Sequence, residues 1–185
     1  MLETFFKPAL INVNLESSDK DELFEEMVEL FARGGCSLDR NEALDALIAR
    51  EEKMTTGIIP SVAIPHASCP SVKNGFGAIG ISRKGIDYGS LDEKPVHVVF
   101  MLLFGNDGTA LHLKVMQQLA LILKNPEAAS RLADKKTPQE LFEGEQPVER
   151  WGLRRPVVSV LASRLGLSAA TCEEFCEAVR KGGEA

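Results

Sequence analysis

Residues 95–104 read PVHVVFMLLF, an extended-chain former at almost every position and apolar at successive rather than alternate residues. A strand that buries both of its faces belongs in the middle of a sheet with a layer of structure on each side. GFGAIGIS at 75–82 is a second strand of the same character, and GIDYGSLDEK at 85–94 reads as the turn and edge between the two. Upstream, residues 18–34, SDKDELFEEMVELFARG, set Leu23, Met27, Leu30 and Phe31 on one helical face. Ser18 and Asp21 read as a capping pair there, and Gly34-Gly35 as the stop. A second helix follows Asp39 over about 40–52, with Leu44, Leu47 and Ile48 inward and Arg50 and Glu51 near its end.

Between that helix and the strands, GIIPSVAIPH at 57–66 carries two prolines around a short apolar run, which suits a loop feeding a brief strand. Downstream, Thr109 stands where it would cap a long helix over about 109–124, whose inward surface is Leu111, Met116, Leu119, Ala120 and Leu123 and whose end is Asn125-Pro126. Two shorter helices are expected near 127–134 and 138–143. The alternation implies an α/β fold, a mixed β-sheet flanked by helices on both faces, ending in a short helical C-terminal tail. We divide the chain into a main domain, 1–146, and an extension, 147–185. The tail breaks at Arg154-Arg155-Pro156, resumes in VVSVLASRLG and ends in a stretch that Ser168 would cap. No chemistry is legible in it; its role is open between folding back on the domain and self-association into a homo-oligomer.

Composition narrows the function. A net charge of −6 argues against a general nucleic-acid binder, which needs clustered Lys and Arg against the phosphate backbone. No run reaches the roughly 18 to 20 apolar residues of a membrane helix, and MLETFFKPAL lacks the basic and apolar regions of a leader, so a cytoplasmic location without membrane insertion is expected. Cys36, Cys69, Cys172 and Cys176 form neither a zinc-ribbon spacing nor a disulfide framework.

Chemistry concentrates on two of the three histidines. His97 lies inside the apolar strand run and reads as a structural imidazole. His66 follows Val62-Ala63-Ile64-Pro65, and the proline stiffens the approach so that the ring emerges at the end of a strand. His112 falls in the first turn of the 109–124 helix, where unpaired amides and the positive end of the helix dipole favour an anion. If these two converge with Arg50, the set suits phosphoryl transfer. One neutral imidazole attacks phosphorus while the other and the guanidinium hold the equatorial oxygens, with neither metal nor cofactor required. Thr55 and Thr56 are candidate donors to a phosphoryl oxygen, or ordinary turn formers before Gly57. Read alone, these residues leave open that His66 is merely an exposed loop histidine.

The stretch Arg50–Ala67, REEKMTTGIIPSVAIPHA, resembles the phosphorylation-site signature of the fructose/mannitol class of enzyme IIA in the bacterial sugar phosphotransferase system, a class that includes nitrogen-regulatory IIA proteins. The shared elements are the Arg-Glu pair, Thr56-Gly57, and Ala63-Ile64-Pro65-His66 before a small residue. KGIDYGSLDEKPVHVVFMLLF and ALHLKVMQQLALIL are similar to the family's edge-turn and central-strand segment and to its helix opening with a second histidine. The likeness spans about residues 5–145 and leaves the tail unmatched. It implies that His66 accepts the phosphoryl group, that His112 assists and that Arg50 helps hold it. It also implies a donor of the HPr type, a phosphorylated histidine carrier, and an acceptor with a reactive cysteine, a IIB domain. In the nitrogen-type alternative the phosphoryl state of His66 instead switches binding to a regulatory target such as a kinase, transporter or transcription factor.

Other readings were weighed. Cys172 and Cys176 fall one helical turn apart and, with His66 and Cys69, would supply four zinc ligands, but small buried thiols explain the tail pair more simply. GFGAIG has the spacing of a nucleotide loop yet interrupts a strand and precedes no phosphate-binding helix.

Overall fold

The all-apolar run proves to be the axis of a five-stranded mixed sheet. Residues 5–140, apart from Pro126 and Gln139, are described by this computed structural model. Strand β5 (Val96–Phe104) has β4 (Phe76–Ile86) antiparallel along one side, and β2 (Val62–Ala63) and β3 (His66–Ser68) parallel along the other. β1 (Phe6–Asn12) adds in parallel to the outer side of β4.

From Val98 to Phe104 the β5 side chains alternate between two cores. Val99, Met101 and Leu103 pack with Leu23, Phe24, Met27 and Phe31 of α1 (Lys20–Arg33) and with Ala43 and Leu47 of α2 (Arg40–Glu51). Val98, Phe100, Leu102 and Phe104 pack with Val115, Leu119 and Ile122 of α3 (Thr109–Leu123) and with Ala128 and Leu132 of α4 (Ala128–Ala133). Helices therefore cover both faces, which is why neither face of β5 carries a polar residue after His97. Truncating a residue at this axis, such as Leu102→Ala, removes apolar burial and leaves a cavity, at about 2–5 kcal/mol.

The structure revises several local expectations. β1 went unread because Pro8 and exposed positions interrupt its alternation; the register shifts between Phe6 and Ile11, and the proline is tolerated on an edge strand. β4 runs on to Ile86, four residues beyond the expected Ser82, and takes in the left-handed Gly85, φ 82°, against Pro95 and His97. Asp19, in extended backbone, caps α1 by accepting from the Glu22 amide, where Ser18 and Asp21 had been expected; Ser18 instead donates to the Glu22 carboxylate. α3 starts without a side-chain cap: Gly108 holds the N-cap position and Thr109 is the first helical residue. His97 is half-buried with Nδ1 2.9 Å from the Ser82 carbonyl, as a structural imidazole should be. The expected 138–143 helix falls mostly, and the 147–185 extension wholly, outside the described residues.

Candidate active site

Pro65 and His66 join the sheet directly. The Pro65 carbonyl accepts from the Leu102 amide at 2.9 Å, and His66 begins β3, paired with Leu102 rather than ending a strand as expected. The half-buried imidazole places Nδ1 2.8 Å from the Ile64 carbonyl. A carbonyl oxygen can only accept, so in the neutral ring Nδ1 carries the proton and Nε2 keeps its lone pair.

His112 reaches the same place from α3, the helix packed on the face of β5 that carries Leu102, the register partner of His66. Its amide closes the first turn of α3 on the Gly108 carbonyl, 2.8 Å away, so the Thr109, Ala110 and Leu111 amides ahead of it have no intrahelical acceptor. The first turn itself carries no acidic side chain to offset the positive end of the helix. The His112 ring lies against Phe104, the last residue of β5, with centroids 4.8 Å apart, and faces His66 at 5.1 Å with the planes inclined by 47°.

Arg50, in the last turn of α2, donates through Nη1 to the Met54 carbonyl at 3.1 Å and is close enough for its charge to act on both imidazoles. Burial is the first cause that holds His66 below the ordinary histidine range; the Ile64 hydrogen bond opposes it, while Arg50 and His112 add to it and Glu51 subtracts. His112 is lowered by burial and then by Arg50. Both rings are thereby kept neutral, the state in which an imidazole is a nucleophile.

The two threonines part company. Thr55 Oγ1 accepts from the Gly57 amide at 3.3 Å, a turn-forming contact at a half-buried position. Thr56 is buried, and its hydroxyl is engaged by Glu51 Oε2 and by the Tyr88 hydroxyl, both at 2.7 Å, so the expectation of a Thr56 donor facing a phosphoryl oxygen does not match its position. The fold thus brings His66, His112 and Arg50 together, keeps Thr55 on the connecting turn and turns Thr56 inward. Glu51, Lys20 and Tyr88 went unread as site residues; the one available signal was the Arg-Glu pair. Cys69, next to the site, is buried with Sγ 3.0 Å from Ser71 Oγ. No group of three or more His, Cys, Asp or Glu side chains converges for a metal among the described residues. Cys172 and Cys176 lie outside them.

Residues 4–144 match the family model for the phosphoenolpyruvate-dependent sugar phosphotransferase system, EIIA 2. The chain belongs to this family. Membership carries a general phosphotransferase role and agrees with the sheet and helices described above. A relative, the PTS system fructose-specific EIIA component of Haloferax volcanii, is 32% identical over 130 residues, covering 70% of this chain and 84% of its own. The PTS system fructose-specific EIIABC component of Bacillus subtilis is 34% identical over 133 residues, which are 72% of this chain and only 21% of that longer protein. The crystal structure of nitrogen regulatory protein IIA-Ntr from Neisseria meningitidis superposes with a TM-score of 0.70 at 30% identity, covering 76% of this chain and 95% of that one. IIA relatives of both the sugar-transport and the nitrogen-regulatory kind therefore lie at similar distances from this chain. Among the described residues no helix is long and apolar enough to cross a membrane.

Proposed function

We propose that this IIA domain is a cytoplasmic phosphocarrier whose His66 takes a phosphoryl group from a phosphorylated histidine carrier of the HPr type and passes it to the cysteine of a IIB-type domain for sugar uptake. The observation that carries this reading is the Nδ1···O contact between His66 and Ile64, which leaves the free lone pair on Nε2 of a ring 5.1 Å from that of His112. In the first step a P–N bond forms at His66 Nε2 as the donor's P–N bond breaks. In the second an S–P bond forms at the acceptor thiolate as the His66 bond breaks, and His66 returns to its neutral tautomer. Arg50 supplies positive charge and the neutral His112 ring an N–H donor to the equatorial oxygens at both steps, and the open amides of α3 add to them. Thr55 is a further candidate donor from the turn. Thr56 acts from behind the site.

A second reading is a nitrogen-type regulator that retains the phosphoryl group on His66 and changes its affinity for a target protein; the N. meningitidis likeness over 95% of that chain favours keeping it. Residues 147–185 are assigned to a separate extension, with self-association or folding back on the domain as its alternative roles.

Incubation with enzyme I, HPr and phosphoenolpyruvate, followed by intact-mass analysis, tests both readings. The expected result is an acid-labile gain of one phosphoryl group, absent in His66→Ala. Phosphorylation of that variant at the wild-type level would remove the central assignment. Rapid discharge to a IIB cysteine supports the transport reading, and retention supports the regulator.

A further inference from the structure

Glu51 ends α2 with 8% of its surface exposed. A carboxylate so placed loses several kcal/mol of hydration unless donors replace the water. The donors are present: the Thr56 amide at 3.1 Å from both oxygens, the Thr56 hydroxyl at 2.7 Å and Lys20 Nζ at 3.2 Å. Because the Thr56 hydroxyl must donate to the carboxylate, its lone pairs face the Tyr88 hydroxyl, 2.7 Å away, which donates in turn. Tyr88 is buried, carries Lys20 Nζ 4.8 Å from its ring centre, and closes on Gly57 so tightly that a Cβ there would lie 2.9 Å from the ring. Residues from α1, α2 and two loops thus lock the backbone at Thr56–Gly57.

That locked segment holds the histidine. The Thr56 carbonyl accepts from the Ile64 amide at 3.2 Å, and the Ile64 carbonyl is the acceptor for His66 Nδ1 at 2.8 Å. Each link has one polarity, from an anion that only accepts to an imidazole N–H that must donate.

We infer that Glu51 is a positioning residue for phosphoryl transfer: it anchors Thr56, and through Thr56 and Ile64 it selects the Nδ1-protonated tautomer of His66. The inference rests on the proposed role of His66 as acceptor. Were the Ile64 carbonyl to shift, His66 would revert to the free imidazole's own preference for the Nε2-protonated form, whose reactive lone pair points inward. A glutamine cannot replace Glu51, because it offers one acceptor oxygen where three donors converge and leaves Lys20 without its counter-charge. The negative charge also supports the basicity of His66 against Arg50 and His112.

Long-range proton–nitrogen NMR of the imidazoles in the full chain reads the tautomer directly and needs no phosphorylation. The wild type is expected to show Nδ1–H at His66. Glu51→Gln and Thr56→Val, folded by circular dichroism, are expected to show an increased Nε2–H population. Phosphoryl uptake from phospho-HPr should fall by about 10- to 100-fold in both, the range for losing a group that orients a reacting side chain. Thr56→Ser, which restores the hydroxyl, should restore both readouts. Where Glu51→Gln does not fold, Thr56→Val and Tyr88→Phe carry the test. An unchanged His66 tautomer in the folded variants overturns the inference, whether or not uptake slows, since slow uptake alone would mean a merely structural role. Failure of the wild type to be phosphorylated would instead count against the proposed function, and the NMR result would still stand.

Discussion

His66 and His112 face each other with ring centroids 5.1 Å apart, although one opens a short strand and the other lies in the first turn of a helix that comes two strands later in the chain. No hydrogen bond joins the rings, so neither uses up the other's lone pair. The His112 ring is backed by Phe104, itself stacked on Phe5, and this aromatic layer keeps it from turning away. A neutral ring that can donate an N–H beside a nucleophilic one is what an equatorial phosphoryl oxygen requires.

If His112 serves the transferring group and is not its resting place, His112→Ala should still be phosphorylated at His66 but slowly. A loss of about 10- to 1000-fold is expected, the range for removing one charge-stabilising donor. Quench-flow measurement in both directions, from phospho-HPr and back to it, should show similar losses. A variant slowed in one direction only would contradict a shared role in the transition state.

Stability should depend on pH through the same pair. Both imidazoles are held below the ordinary histidine value, first by burial, so the folded chain binds protons less readily there than the unfolded chain. Stability rises with pH wherever the unfolded state binds more protons. It should be fully present above the unfolded histidine pKa of about 6.5, fall as pH drops through that value, and level off once the folded rings are protonated too. Arg50→Gln removes a nearby cation, so it should raise both folded pKa values and shrink the loss. Glu51 adds a separate, more acidic loss: burial pushes its carboxyl up, but the Thr56 and Lys20 contacts outweigh that and leave it low. Urea unfolding across the pH range, with imidazole titration by NMR, checks each sign. A flat profile below about pH 6.5 would contradict it.

Gly105→Ala should couple stability to the site. A Cβ at Gly105 would lie 2.3 Å from the Val72 carbonyl oxygen, a backbone atom just beyond β3, so the two loops must separate. Gly105 also accepts the Gly108 amide at 2.9 Å and so sets where α3 begins. A loss of about 1–3 kcal/mol is expected in chemical denaturation, as for other overpacked sites. The distance between His66 and His112 should change with it, read as a fall in transfer rate. A variant as stable and as active as the wild type would show that the loops have room to give.

Much of this was legible before any coordinates. PVHVVFMLLF announced a strand covered on both sides, and the 18–34 and 109–124 periodicities announced helices, because those patterns arise from burial repeated at the period of the backbone; in the second helix Ala120, expected inward, is exposed, and Val115 and Ile122 are buried in its place. β1 escaped because a proline and a register shift erase its period, and the caps of α1 and α3 were misplaced by a residue because capping depends on backbone angles that several polar neighbours can satisfy. Cys172, Cys176 and the 147–185 extension lie outside the described residues, so their expectations stay as they were.

The layered α/β plan, the family and the two histidines worth attention can be read along the chain, since each is carried by local pattern or by a contiguous motif. Packing in three dimensions sets the His112 ring against His66 within reach of the Arg50 charge, turns Thr56 inward, and stands Glu51, Lys20 and Tyr88 behind the site. Those relations are hydrogen bonds, ring contacts and the reach of the Arg50 charge, between side chains from separate elements. Their geometry is set by how the helices and loops pack on the sheet, and no spacing along the chain records it.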